Sequence, residues 1–376
     1  MVRTIGIEEE LLLVDPETGQ MSPRARQVIK EFHEHRGRVR PTVATDELDH
    51  ELFRHQLEVR TDPTTDLDDA AAQVADARRT AGQAAEATGL AAVACGIVPR
   101  GETAVVVSPN DRYRDMVAVF GEVARQGGTC GMHVHVGIES DEEGVGVIDR
   151  VAPWLPVVLA ISANSPFHDD RDTGYASWRS QVWTRWPSGG STQRFGSVEA
   201  YRALCRFLLD SGAARDRGMF YFDARLSETY PTVEIRVADM CTDPADAVLV
   251  AAVTRGLVDT AASEWRAGAE PREWRLEELR ACHWRAARYG VTDALVSPRT
   301  RELGGAREVL DSLLATIRPA LEEAGDLEVV TQGLDRVLSH SGATAQRAAY
   351  ERTGDVRGVV DDLIARTRAS WSHDDG

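Results

Sequence analysis

The sequence predicts an α+β fold organised around one sheet with a charged face, and three observations predict it. Three stretches alternate apolar and polar residues with the period of a strand: Ile5–Leu11, Gly128–Gly137 and Thr232–Val237. Each turns a polar pair to one face: Glu8 with Glu10, His133 with His135, Glu234 with Arg236. These strands are irregularly spaced over the first two-thirds of the chain, whereas helical periodicity fills the final third from Asp243-Pro244 onward. No linker, low-complexity tract or internal repeat interrupts the 376 residues. They therefore read as a single domain, 1–376, with a helical region at about 244–370 packed on it.

In chain order, a strand over Thr4–Val14 stops at the turn Asp15-Pro16-Glu17-Thr18-Gly19. Ser22-Pro23 opens a helix to His35, with proline at its first position. A short strand is expected at Val39–Ala44, and a bulged one over Glu51–Thr61. Glu51 and Glu58 are seven residues apart, so both reach one face only if that strand bends or Glu51 precedes it. An alanine-rich helix runs from Leu67 to Thr88 and closes at Gly89, and Leu90–Val98 reads as a buried strand. Asp111 caps a helix to Arg125, and after the histidine strand a helix runs from Asp141 past Pro153 and Pro156 to Ala163. Residues Asn164–Ser197 form the longest irregular stretch, holding Trp178, Trp183, Trp186, Arg171, Arg179, Arg185 and Arg194. Disordered segments are poor in aromatics, so an ordered lid or pocket wall is expected there. Val198–Ser211 is helical, and a strand over Met219–Ser227 turns Tyr221, Asp223 and Arg225 to its polar side and pairs antiparallel with the Glu234 strand. Helices follow at 244–267, 272–289, 301–323, 326–340 and 344–370.

Composition narrows the function. A net charge of -17 argues against nucleic acid and against an anionic membrane surface as partners. No apolar run approaches the ~18 residues of a membrane span. Met1 leads directly to Arg3 and a strand, without the apolar core of a signal peptide. The five cysteines are scattered and odd in number, as expected in a reducing cytoplasm. Lys30 is the only lysine and no GxxxxGK[ST] occurs, so phosphates would be held by guanidinium groups and metals rather than by a P-loop. Schiff-base chemistry is correspondingly disfavoured.

The charged face collects Glu8, Glu10, Glu51, Glu58, His133 and Glu234, with Arg236 beside them. Five carboxylates on one concave face repel unless cations sit among them. Oxygen-rich sites suit Mg²⁺ or Mn²⁺, while zinc normally takes two or three His or Cys ligands. The HxH pair alone leaves a zinc-dependent hydrolase open, and each acidic pair taken singly also fits a solvated strand.

Taken together, Gly6-x-Glu8-x-Glu10, Glu51-x6-Glu58, Gly131-x-His133-x-His135 and Val233-Glu234-x-Arg236 resemble the type 2 glutamate–cysteine ligases, or carboxylate–amine ligases. The resemblance runs nearly the whole chain. It implies a glutamine synthetase-like antiparallel sheet whose concave face cradles ATP and Mg²⁺. It also implies ATP-dependent joining of the γ-carboxylate of glutamate to an amine such as cysteine, through an acyl phosphate. By position it assigns Glu8, Glu10, Glu51, Glu58, His133 and Glu234 to metal, and Glu58, His135, Glu234 and Arg236 to the nucleotide. Arg236 becomes the catalytic group near the transferred phosphoryl, and Arg179, Arg185 and Arg225 candidates for substrate carboxylates. The family further suggests a cytoplasmic homodimer. A metal-dependent hydrolase and a non-catalytic nucleotide-binding relative are the alternatives, separated from it by a requirement for ATP and an amine.

Overall fold

The computed structural model describes residues 2–36, 49–50, 55–101, 111–125 and 128–372. The expected strand at Val39–Ala44 and the candidate ligand Glu51 lie outside the described residues. The first half contains β1 (Ile5–Val14), α1 (Ala25–Arg36), β2 (Asp49–His50), β3 (Gln56–Arg60), α2 (Leu67–Ala87), β4 (Ala91–Val93), α3 (Asp111–Phe120), α4 (Glu122–Arg125) and β5 (Gly131–Gly137). Next come α5 (Asp141–Val151), α6 (Leu155–Ser162), β6 (Phe167–His168), β7 (Arg171–Asp172), α7 (Trp178–Trp183), α8 (Val198–Asp210), β8 (Ala224–Leu226) and β9 (Thr232–Asp239). The last third holds α9 (Pro244–Arg266), α10 (Leu276–Tyr289), β10 (Leu295–Val296), β11 (Leu303–Gly304), α11 (Ala306–Ala324), α12 (Leu327–Ser339), α13 (Gly342–Thr353) and α14 (Val356–Ala369).

One seven-stranded sheet runs in the order β2-β3-β1-β5-β9-β8, with β4 also paired to β1, and every pairing in it is antiparallel. Its apolar face carries Ile7, Leu11, Val134, Val136, Val233 and Ile235, all buried. Helices cover that face. The most central, α9, packs against α2, α5, α11 and α12 and is buried along most of its length. The stretch Asp141–Ser162 is long and apolar enough to cross a membrane, but 83% of its most apolar window is buried inside the fold.

Several boundaries differ from expectation for local reasons. The apolar run Leu90–Val98 is strand only over Ala91–Val93, because from Ala94 its backbone bonds to other loops, such as Gly96 to the Asn164 carbonyl. The 344–370 helix is two, split where Gly354 takes a left-handed φ of 71°. The Met219–Ser227 segment is strand only from Ala224, since a 3₁₀ turn occupies Arg217–Met219. The β10–β11 hairpin had no expectation, being two residues per strand.

Glu9 alternates onto the core side of β1, between the two acids of the charged face. It is 2% exposed, and Arg78 of α2 meets it with two hydrogen bonds of 2.6 and 2.8 Å. Arg78 also donates to the carbonyls of Cys241 and Thr242, which close β9. This ion pair ties β1, α2 and the end of β9 together. Removing one partner leaves an uncompensated buried charge, so Glu9→Gln should lower the unfolding free energy by ~3–5 kcal/mol in denaturant titrations. An unchanged midpoint would show that the pair is not needed for stability.

Candidate active site

Register places the charged side chains in one belt. Glu8 sits opposite Arg60 of β3 on one side and His133 of β5 on the other. Glu10 is opposite Glu58, His135 is opposite Glu234, and Arg225 is opposite Glu234 from β8. Because strands alternate, every one of these leaves the face away from the helices. A register irregularity between Met132 and Val134 shifts the β5–β9 pairing beside His133.

The carboxylates do not face each other unpaired. Glu8 Oε2 is 3.2 Å from His133 Nδ1, Glu8 Oε1 is 3.5 Å from His135 Nε2, and Arg60 lies 3.3 Å away. Burial alone would raise the Glu8 pKa, but hydrogen bonds and charge from His133 and His135 hold it well below the ordinary range. Arg60 also bonds Glu58 at 2.5 Å. Arg225 grips Glu234 with two nitrogens at 2.6 and 3.1 Å, and Arg236 bonds the same carboxylate. Burial is again outweighed, here by the two guanidinium groups, so Glu234 is held far below the carboxylate range. The cations that the clustered acids demand are thus in large part the chain's own arginines.

Glu10 is the exception. Burial pushes its pKa up, despite a 2.6 Å hydrogen bond from the Gly131 backbone. Beside it lies Arg179 of α7, 2% exposed, whose nitrogens reach, among the described residues, the Arg236 and Val237 carbonyls, both at 3.4 Å, and Asp239 at 3.8 Å. The guanidinium occupies the space a Cβ at position 131 would need, which is why glycine stands there. Asp239 was not anticipated from sequence. It is fully buried and accepts from Ser165, Ser177 and the Asn164 backbone, fixing the start of the 164–197 segment to the end of β9.

That segment is ordered, as its tryptophans suggested. It contains the β6–β7 hairpin and α7, and Trp183 and Trp186 pack on Tyr221 at 4.6 and 5.3 Å. Its far end is pinned by Asp149, which accepts from the Phe195 and Gly196 backbones at 2.7 and 2.8 Å. The belt borders one of two clefts through Glu8 and His135. One, of about 830 Å³, opens at Ile7, Glu8, Arg60, His135, Tyr230 and Thr232. The other, of about 1030 Å³, is walled by residues 184–195 and by α8 and α10.

The structure therefore brings together Glu8, Glu10, Glu58, His133, His135, Glu234, Arg225 and Arg236, with Arg179 at their inner end. Arg185 stands apart, on the wall of the larger cleft with its guanidinium 6.0 Å from the Trp178 ring. Arg225 is occupied by Glu234 and by the Gly218 and Phe220 carbonyls, so it holds Glu234 in place. Among the described residues, the donors that converge within 4.8 Å of one another are those of Glu8, His135 and Glu234. His135 Nδ1 is 2.9 Å from the Thr232 hydroxyl, which leaves Nε2 buried and turned toward Glu8 at 3.5 Å, with no closer contact among the described residues. The resemblance pairs the other histidine, His133, with metal; the convergence of donors instead includes His135.

Comparison with known proteins gives a consistent picture. Residues 4–365 match the family model described as glutamate–cysteine ligase family 2. A protein of Nocardioides sp., provisionally named glutamate–cysteine ligase 2-1, is 63% identical over 100% of this chain and 98% of its own. One from Streptomyces coelicolor, provisionally named glutamate–cysteine ligase 2, is 46% identical over 98% of this chain and 100% of its own. Among solved structures, the glutamate–cysteine ligase of Francisella tularensis in complex with AMP superimposes with a TM-score of 0.72 at 11% identity, covering 100% of this chain and 90% of that one. A bifunctional glutathione synthetase from Pasteurella multocida gives 0.69 at 16% identity, covering 98% of this chain and 52% of that one. These two likenesses concern the fold.

Proposed function

The chain belongs to glutamate–cysteine ligase family 2, and from that premise we propose that it joins the γ-carboxylate of glutamate to an amine, cysteine first among them, with cleavage of ATP to ADP and phosphate. The observation that carries this reading is the belt of Glu8, His133, His135, Glu234 and Arg236, which opens through Glu8 and His135 onto a cleft of about 830 Å³. The cleft at the belt suits a nucleotide and the arginine-walled cleft an amino acid, with phosphoryl transfer at the belt. The Francisella tularensis enzyme was solved with AMP, in keeping with a nucleotide site in this fold.

A divalent cation, Mg²⁺ or Mn²⁺, fits the donor set. Glu8, His135 and Glu234 supply converging atoms, the His135 Nε2 turned to Glu8 makes no hydrogen bond among the described residues, and burial raises the Glu10 pKa despite His133 and Arg179 nearby. Glu8, Glu234 and His135 would hold it, with Glu10, Glu58 and His133 beside them. When bound it supplies charge neutralisation for the phosphate oxygens and an anchor for their orientation.

The chain's own residues do the rest. The γ-carboxylate of glutamate attacks the γ-phosphorus of ATP, ADP departs, and the resulting acyl phosphate reacts with the amine. Arg236 is 6% exposed, and its Nε has no hydrogen-bond partner among the described residues. It can donate to equatorial oxygens of the transferring group while its Nη1 stays on Glu234. Arg179, buried at the inner end with its Nε also without a hydrogen bond among the described residues, suits a substrate carboxylate. Arg185 is the corresponding candidate on the larger cleft.

An ADP-release assay with glutamate against a panel of amino acids and amines, read by mass spectrometry, tests the reading. ADP release should need both glutamate and an amine, and a γ-glutamyl adduct should appear. ATP-independent hydrolysis, or no glutamate dependence, would contradict it.

A further inference from the structure

The larger cleft contains a buried carboxylate–imidazole pair that the reading above does not use. Asp223 is 3% and His283 6% exposed, and Asp223 Oδ2 lies 3.5 Å from His283 Nδ1. Ser191 donates to the same Oδ2 at 2.8 Å and so fixes the carboxylate. Neither ring nitrogen of His283 has a hydrogen-bond partner among the described residues, although the ring lines the cleft. Two unpaired buried ring atoms are costly in a purely structural histidine.

The pair is tied by backbone to the strand that carries Glu234 and Arg236. Pairing of Arg225 with Glu234 continues to Asp223 opposite Arg236, whose backbone N–H donates to the Asp223 carbonyl at 2.9 Å. Asp223 therefore sits one residue beyond the strand whose Arg225 grips Glu234, joined to Arg236 through the backbone. Arg185, Arg194 and Arg280 line the same cleft, Arg194 being tied to Glu270 at 2.9 Å. A cleft with this excess of guanidinium disfavours an ammonium and favours its neutral amine. The chemistry calls for that loss, since an ammonium has no lone pair.

We propose that His283, oriented by Asp223 and Ser191, is the base that deprotonates the incoming amine; this rests on the ligase reading. The acceptor enters as an ammonium, and one N–H proton passes to a ring nitrogen of His283. The freed lone pair attacks the γ-carbonyl carbon of the acyl phosphate and forms the C–N bond. The bond between that carbon and the phosphate oxygen breaks, its electron pair leaves with phosphate, and the second proton of the nitrogen departs as part of hydrogen phosphate. His283 touches the substrate, and Asp223 is a positioning residue.

The test compares two nucleophiles. Hydroxylamine is already neutral at neutral pH and needs no base, whereas the α-amine of cysteine is mostly ammonium. With glutamate and ATP, His283→Gln should lose ~10²-fold or more in turnover with cysteine while hydroxamate formation stays within about threefold of the parent. Asp223→Asn should lower turnover with cysteine by a smaller factor and likewise leave hydroxamate formation within about threefold of the parent. Retained hydroxamate formation also certifies that the variants fold. A parallel fall with both nucleophiles, or no fall with cysteine, overturns the role of His283 and leaves the ligase reading standing. A parent active on hydroxylamine and inert toward cysteine overturns it too. A parent that makes no hydroxamate removes the ligase reading itself.

Discussion

Glu8→Gln is expected to reduce turnover by ~10²–10³-fold, the loss associated with one preorganised electrostatic group in a reacting centre. Its carboxylate is the hub of the belt, with His133, His135 and Arg60 all within 3.5 Å. A glutamine keeps the shape but gives up the charge those three cations and donors face. On sequence alone, deletion of one acid from a crowded set would relieve repulsion and stabilise the protein. The geometry reverses that sign. The folded pKa of Glu8 lies below its ordinary 4.5, because His133 and His135 outweigh burial. Its contribution is therefore present at neutral pH and is lost as pH falls below about 4.5 toward the folded value. Glu8→Gln should accordingly melt below the parent at pH 7, and the difference should shrink in acid. A melting temperature at or above that of the parent at neutral pH would mean that repulsion dominates after all.

Arg236→Lys is the second large effect. A lysine keeps one positive charge but not the planar fork, which alone can hold Glu234 with one nitrogen and present another to phosphoryl oxygens. Turnover should fall by ~10²-fold with little change in the apparent affinity for ATP. A solvated Glu–Arg pair on a sheet surface, worth ~0.5 kcal/mol, does not describe this site. Arg236 is 6% and Glu234 2% exposed, and the guanidinium lies 3.5 Å from His133 Nδ1. Some loss of stability should therefore accompany the loss of rate. Arg225 limits it, since its two bonds keep Glu234 compensated. Near-normal turnover would take Arg236 out of the mechanism.

The three strands that carry Glu8, His133 and Glu234 were legible because half-buried strands alternate, and a one-residue slip would bury every charge. Their mutual register was not, so the sequence could group the side chains but could not say which histidine meets which acid. Glu9 was hidden in the run Glu8-Glu9-Glu10, because only the helix behind the sheet shows that its partner is Arg78. Arg225 carries an ordinary strand pattern, and its commitment to Glu234 appears only once β8 is paired with β9. Asp239 and the Asp223–His283 pair are contacts between segments 62 and 60 residues apart or more, with no local signal. The tryptophans of the 164–197 segment did give one, since their ring packing is what orders it.

The central claim is that the γ-carboxylate of glutamate attacks ATP. Glutamate labelled with ¹⁸O in that carboxylate, incubated with ATP, Mg²⁺ and cysteine, tests it directly by mass spectrometry of the released phosphate. The account predicts one ¹⁸O atom transferred to each phosphate, because the carboxylate oxygen that bonds phosphorus stays with it when the amine displaces phosphate. Phosphate released without label, from turnover that still forms the amide, would contradict it.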